Sequence, residues 1–446
     1  MDNPVTIVVF GGTGDLMRRK LVLSFLRLWK QGILNENCLI VGVGRRPFDD
    51  AAYRLFLSEH LNDKERTTLE QISIKYFTGD ITSIEGMTGL HAFLARYEKK
   101  ECMGRIMYLA TGYTFFPTIV AALQREQLHE LRCGWTRVAF EKPFGQSLAS
   151  AGTLESGVHK VFPEDSIYRI DHYIAKDGAR LLLSAKESCP ALRKILSCAY
   201  VSQIEIIADE NIGVGERIAY YNESGALKDM VQSHLLQLAA LVIGEPATWS
   251  AEAIHRAKLK VLSSLNPVSG EKQLLGQYQS YASEAGSHHL SGSTVETYAR
   301  IILQSSLPSW NGVPIILRTG KNLPEKKTEI RIKLRVSVGQ SAELSIFLYP
   351  VPTAQLNSEG DVSPVLRAAA DELTVFLRSW QNNSGSDDGY SFLLERVVTG
   401  DQRWFVKQKE IEACWLLIEE IERLRSRIPF LVYPDKSDPE TLMRKV

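Results

Sequence analysis

Four short segments concentrate polar residues that neither a packed core nor an ordinary surface requires. They are Glu141-Lys142-Pro143-Phe144-Gly145, Arg169-Ile170-Asp171-His172-Tyr173-Ile174-Ala175-Lys176, Asp229-Met230-Val231-Gln232-Ser233-His234 and Leu317-Arg318-Thr319-Gly320-Lys321. An imidazole, with an unperturbed pKa of about 6.5, accepts a proton at neutral pH. A carboxylate can orient such a ring and stabilise the imidazolium, and fixed ammonium groups beside hydrogen-bond donors suit an anion. Taken singly, each segment has a plainer explanation: a turn, a helix cap or a solvated charge. His234 lies within an apolar helix, where a lone imidazole is more often a packed core residue than a base. Their co-occurrence is what points to chemistry. The strand ending in Lys142-Pro143 also invites a rigid, cis turn.

A fifth segment, Gly11-Gly12-Thr13-Gly14-Asp15-Leu16, follows the β-branched apolar run Val5–Phe10 and leads into a helix. Glycines there permit a tight turn and close backbone approach, so that a pyrophosphate can rest on amides at the positive helix N-terminus. The spacing departs from G-x-G-x-x-G, because Met17 stands where the third glycine would be. At the end of the second strand an NAD site would carry an acid to accept from the ribose 2′-hydroxyl. This chain has Gly42-Val43-Gly44-Arg45-Arg46, with no acid before Asp49. Two guanidinium groups there suit a 2′-phosphate, which favours NADP.

These residues need elements to hold them. The run Val5–Phe10 reads as a strand buried on both faces, and Cys38–Val43, Ile74–Phe77, Arg105–Leu109 and Thr136–Phe140 follow with helical stretches between. Such alternation predicts an α/β, Rossmann-like, doubly wound parallel sheet. From about residue 195 the pattern changes. Ser197–Ala208, Val295–Gln304, Val313–Arg318, Ile330–Val336 and Glu343–Tyr349 are strand-like with few helices between, which predicts an α+β domain with a large, mostly antiparallel sheet. Helices are expected over Ala226–Ile243, Ser391–Thr399 and Gln408–Ser426, and a loop over Asn382–Gly389. The expected domains are 1–175 for the nucleotide and 176–446 for substrate binding and dimerisation.

The chain of 446 residues has 52 Lys plus Arg against 52 Asp plus Glu. A net charge of zero argues against nucleic acid or an anionic membrane as the main partner. Six cysteines without a C-x-x-C pair predict neither a disulfide framework nor a zinc knuckle, and no cluster suggests another metal. Neither a signal peptide nor a membrane span is recognisable, so a cytoplasmic protein is expected.

Four stretches, FGGTGDLMRRKL, VAFEKPFGQSL, RIDHYIAKD and GVGERIAYYNESGALKDMVQSHLLQ, resemble the glucose-6-phosphate dehydrogenase family, and GVPIILRTGKNLPEKKTEIRIKL resembles its C-terminal substrate segment. The likeness runs over about residues 5 to 350 in the family's order and thins to a weaker match at YSFLLERVVTGD. The resemblance implies that His234 is the general base and Asp171 its orienting carboxylate. It implies that His172, Tyr173 and Lys176 hold the 6-phosphate of a sugar phosphate. Lys142 would touch both sugar and cofactor, Glu210 and Asp229 would accept from sugar hydroxyls, and Lys321 and Lys326 would complete the pocket. Gly11, Thr13, Gly14, Asp15, Leu16, Arg45, Asp80 and Ile81 match the family's NADP positions, which Arg46 would join as the second of the arginine pair. A homodimer through the large sheet is implied as well.

Departures from the family pattern fall near the sugar. Its LGKE after RIDHY is IAKD here, and the Asn before the catalytic His is Ser233. The chain is also short for the family between about residues 350 and 390, and Phe347 and Tyr349 predict no second, structural NADP. Oxidation of glucose 6-phosphate to 6-phosphogluconolactone is the first reading. The alternatives are a dehydrogenase of another phosphorylated aldose, a glucose–fructose oxidoreductase-like enzyme with Lys142 as proton acceptor, and a catalytically silent NADP-binding regulator.

Overall fold

The computed structural model describes residues 4–98, 102–290, 292–336, 341–359, 363–383 and 389–443. The chain divides into two units, Met1–Ala175 with Asp387–Gln408, and Lys176–Ser386 with Lys409–Val446.

The first unit is built on six parallel strands: β1 (Val5–Phe10), β2 (Leu39–Gly44), β3 (Ile74–Thr78), β4 (Met103–Leu109), β5 (Gly134–Glu141) and β6 (Ile167–Ile170). Their order is β3-β2-β1-β4-β5-β6, so the winding reverses between β1 and β4. A doubly wound sheet opens its ligand crevice beyond the carboxyl ends of the strands at that reversal. β1 and β4 are buried at every position, which explains their largely apolar composition; the one charge on them, Arg105, is paired with Glu98. Helices start where side chains cap them: Asp49 accepts from the Ala52 amide at 2.7 Å, and Asn62 and Glu65 form a capping box before Asp63–Gln71.

Chain from beyond residue 386 returns to this unit. Arg137 on β5 donates to the Val397 and Val398 carbonyls at 2.7 and 2.8 Å, closing the helix Tyr390–Thr399. On β6, the fully buried Arg169 bonds Glu155 and Glu164 and donates to the Val406 carbonyl at 3.2 Å. A charge at that depth is tolerable only with such partners. His159 lies beside the same two carboxylates, which are already taken by the guanidinium.

The second unit is a nine-stranded mixed sheet: β7 (Val201–Asp209), β8 (Leu265–Pro267), β9 (Leu274–Tyr278), β10 (Tyr298–Ser305), β11 (Ile315–Gly320), β12 (Lys327–Leu334), β13 (Ser341–Tyr349), β14 (Thr353–Glu359) and β15 (Phe430–Tyr433). The order is β14-β13-β12-β7-β11-β10-β9-β15, with β8 on β10. Most pairs are antiparallel as expected, but β7 with β11 and β9 with β15 run parallel. Tyr221, Tyr278, Tyr281, Tyr298 and Tyr433 form much of one core cluster. Burying a phenol requires a partner for its hydroxyl: Tyr278 donates to Glu284 at 2.7 Å and Tyr433 to the Lys321 carbonyl at 2.7 Å.

Two expectations change. Cys102 and Cys133 form a disulfide with Cα atoms 4.7 Å apart. Each immediately precedes a strand, and the parallel register pairs Met103 with Gly134, so the strands bring the sulfurs together across 31 residues. The loop expected over Asn382–Gly389 begins instead as helix, since Pro364–Asn383 is helical, and residues 384–388 lie outside the described residues. Among the described residues no helix is long and apolar enough to cross a membrane.

Candidate active site

The first site is a cleft of about 330 Å³ at the carboxyl ends of β1, β2 and β4. Gly11, Thr13, Gly14, Arg45, Asp80 and Ile81 line it, joined by Thr111 and Phe115. Two glycines are dictated by space. Gly11 has φ +87°, and a Cβ there would lie 2.6 Å from the Ala110 carbonyl oxygen; at Gly12 it would lie 2.7 Å from Gly42 Cα. The turn is stitched to β2, because the Gly11 and Gly12 amides donate to the Val43 carbonyl at 3.1 and 2.8 Å. The missing third glycine has a structural counterpart. Met17–Leu21 is wound as a π-helix, with the Val22 amide donating to the Met17 carbonyl five residues back.

Asp80 is held on the cleft's edge by Thr82, whose hydroxyl and amide donate to it at 2.7 and 2.9 Å. Those bonds draw its pKa below the usual carboxylate range, and Arg45 adds to the effect. The arginine pair divides its work. Arg45 lines the cleft, whereas Arg46 lies over the Phe56 ring at 5.3 Å. Asp15 is paired with Arg19 at 2.6 Å, and neither Leu16 nor Lys142 is among the described residues lining the cleft.

Lys142 and Asp171 directly follow β5 and β6, whose last residues, Glu141 and Ile170, are register partners. The Lys142–Pro143 bond is cis. Asp171 is fully buried and accepts from the Tyr173 amide at 2.9 Å, which folds the chain back over the carboxylate. The rings of His172 and Tyr173 are 5.1 Å apart. The sequence did not single out Glu141 beyond its motif. It is half-buried, accepts from the Tyr108 hydroxyl at 2.5 Å, and has a pKa raised to about 7 by desolvation of its carboxylate and by the Asp171 charge.

In the second unit, Lys176 occupies the cap position before the helix Asp177–Ser188. β7 and β11 end side by side, pairing Asp209 with Gly320, so the next residues, Glu210 and Lys321, meet in an ion pair. The Lys321 ammonium lies 5.2 Å from the centre of the Tyr221 ring. Burial pushes the Tyr221 hydroxyl well above its ordinary pKa, with the Asp229 charge as the next cause. Lys326 instead stands over Tyr349 at 4.5 Å. Arg318, from the fourth polar segment, is absorbed by structure: it pairs with Asp209, Asp438 and Glu440 at 2.9, 3.1 and 3.2 Å.

Asp229 and His234 lie on Leu227–Leu235, a second π-wound stretch that continues as the α-helix Leu236–Ile243. The Leu236 amide donates to the Val231 carbonyl, five residues back. In an α-helix residues five apart are about 140° apart around the axis. A π-turn of about 4.4 residues leaves them only about 50° apart, so this winding puts Asp229 and His234 on one face. Both are buried, His234 with only 3% of its surface exposed.

The family model described as "Glucose-6-phosphate dehydrogenase, NAD binding domain" matches residues 8–180, and its C-terminal domain model matches residues 186–444. The chain belongs to the glucose-6-phosphate dehydrogenase family. Glucose-6-phosphate 1-dehydrogenase of Rhizobium meliloti is 32% identical over 94% of this chain and 90% of its own length. That of Zymomonas mobilis is 32% identical over 94% and 92%. A solved glucose-6-phosphate dehydrogenase in complex with its substrate glucose-6-phosphate has a TM-score of 0.84 at 25% identity, covering 99% of this chain and 97% of that one. The Mycobacterium avium family member gives 0.79 at 28%, covering 97% and 95%.

Proposed function

We propose that the protein oxidises D-glucose 6-phosphate to 6-phospho-D-glucono-1,5-lactone with NADP. His234 takes the proton of the anomeric hydroxyl as the hydrogen on C1 departs with its electron pair, and Asp171 orients the imidazole and stabilises its cationic form. NADP, when bound, supplies the hydride acceptor. Gly11, Thr13 and Gly14 line the cleft at the start of the helix and fit its pyrophosphate, and Arg45 on the same cleft fits its 2′-phosphate. His172, Tyr173 and Lys176 hold the sugar's 6-phosphate. Glu210 and Asp229 accept from its hydroxyls, and Lys321, Lys326 and Lys142 fix its position.

The observation that carries this reading is the π-wound turn, which gives a buried imidazole and a buried carboxylate a common face. Following reduced nicotinamide by absorbance while titrating NADP and glucose 6-phosphate tests it. Turnover is expected, and its loss by several orders of magnitude in His234→Asn. Little loss in that variant would transfer the base to Lys142, and no reduced cofactor with any phosphosugar would mean a silent regulator.

A second reading, another aldose 6-phosphate, is favoured by Ser233, whose hydroxyl turns back to the Asp229 carbonyl at 3.4 Å where the family has an asparagine. Rates on glucosamine and galactose 6-phosphates decide between the two. A homodimer completes the proposal, supported by the breadth of the nine-stranded sheet; a monomeric mass by light scattering would refute it. A cytoplasmic setting is supported by relatives named as cytoplasmic, an isoform of Solanum tuberosum among them, while the Cys102–Cys133 disulfide points the other way; locating the protein in fractionated cells tests it.

A further inference from the structure

The helix from Leu227 to Ile243 is held at each end by one buried charge. An α-helical end leaves its last four carbonyls without partners. Here the Lys186 ammonium donates to the carbonyls of Leu241, Val242 and Gly244 at 2.7, 2.8 and 2.6 Å. The Trp310 indole donates to the remaining one, Ile243, at 3.2 Å. Lys186 is buried, so all three of its protons are used where water cannot replace them. At the other end the Glu296 carboxylate accepts from the Leu227 amide at 3.1 Å, its backbone carbonyl accepts from Ala226 at 2.9 Å, and Arg425 donates to its second oxygen at 2.6 Å. Gly225 makes room: its φ is +61°, and a Cβ there would fall 2.3 Å from the Glu296 carboxylate. Each charge has the sign that the helix dipole favours at its end.

We propose that Lys186 and Glu296 are positioning residues that preserve the wide winding of Leu227–Leu235 and thereby keep Asp229 and His234 on one face. Rewinding nine residues from about 4.4 to 3.6 per turn rotates one end against the other by roughly half a turn. With both ends fixed by short, directional bonds, that relaxation breaks one anchor. The inference rests on the assignment of His234 as base, so the test separates the two.

Lys186→Met, Lys186→Arg and Glu296→Gln are compared with His234→Asn for kcat, KM and the pH profile of kcat/KM, with the folded fraction measured by circular dichroism. Lys186→Met is expected to lower kcat per folded molecule by about 10- to 100-fold, since a misplacement near 1 Å costs that much. Its KM for the sugar phosphate should rise as well, because Asp229 is displaced from the sugar hydroxyls, and the apparent pKa of the base should shift. Lys186→Arg should recover part of the loss, because it keeps the charge but not the convergence on three carbonyls. Should Lys186→Met fail to fold, Glu296→Gln decides on the same readouts. If either folded variant keeps kcat within about twofold and an unmoved pH profile while His234→Asn is inactive, the positioning role is overturned and the base survives. If His234→Asn retains turnover, the base assignment fails instead.

Discussion

Both π-wound stretches sit where chemistry is assigned, yet they are held in opposite ways. Met17–Leu21 follows a turn secured mainly by backbone: Gly14 donates to Gly11 at 2.8 Å, and the Gly11 and Gly12 amides reach the adjacent strand. Its most distant anchor is Tyr53, whose hydroxyl donates to the Gly12 carbonyl at 2.8 Å. Leu227–Leu235 depends on buried side chains brought from Lys186 and Glu296. A backbone-built site demands small residues at fixed positions, whereas a side-chain-built site demands partners that only the completed sheet supplies.

Breaking the backbone-built region should have the largest effect. Gly12→Ala forces a Cβ against Gly42 Cα at 2.7 Å, and we expect NADP affinity by fluorescence titration to fall about 100-fold or more. Helix dichroism and sugar-phosphate protection of the second unit should stay unchanged. An unaltered affinity would mean that the turn opens freely.

The next effect concerns Glu141. Its folded pKa of about 7 exceeds the unfolded value near 4.5, so its proton is held more tightly by the folded state. The resulting stabilisation, up to about 3 kcal/mol, is fully present below pH about 4.5 and is lost as pH rises through about 7. Glu141→Gln should flatten that part of the stability–pH curve in denaturant titrations. A parallel curve for both proteins would contradict the assignment.

Smallest is the contrast inside the arginine pair. Arg45→Ala should reduce the preference for NADP over NAD by about tenfold, the scale of one charge-assisted contact. Arg46→Ala, whose guanidinium lies on Phe56, should stay within about twofold in kcat/KM ratios. Equal losses would restore the two-arginine clamp.

The same contrast explains what was legible in the sequence. Glycines before a helix, a missing acid after β2 and unbroken apolar strands are local, so the nucleotide cleft could be read directly. The polar motifs marked the other residues by type. Lys186, in Leu183-Ser184-Ala185-Lys186-Glu187, reads like any solvated helical lysine, and nothing within a helix length of it names its carbonyl partners. The Cys102–Cys133 pair was equally hidden, because strand register rather than spacing brings the sulfurs together. β9 and β15 escaped notice as strands of five and four residues that pair with each other across about 150 residues of chain, and the polar composition of β14 (TAQLNSE) hid it although it pairs with the preceding strand.

Residues 387–408 return to the first unit, where Arg137 and Arg169 find carbonyl acceptors at Val397, Val398 and Val406. On a ribosome the six strands emerge early, but both guanidinium groups must wait for chain made near the end of synthesis. A polypeptide severed after Ala175 therefore keeps Glu155 and Glu164 beside Arg169 but lacks the carbonyls that Arg137 and Arg169 reach in the whole chain.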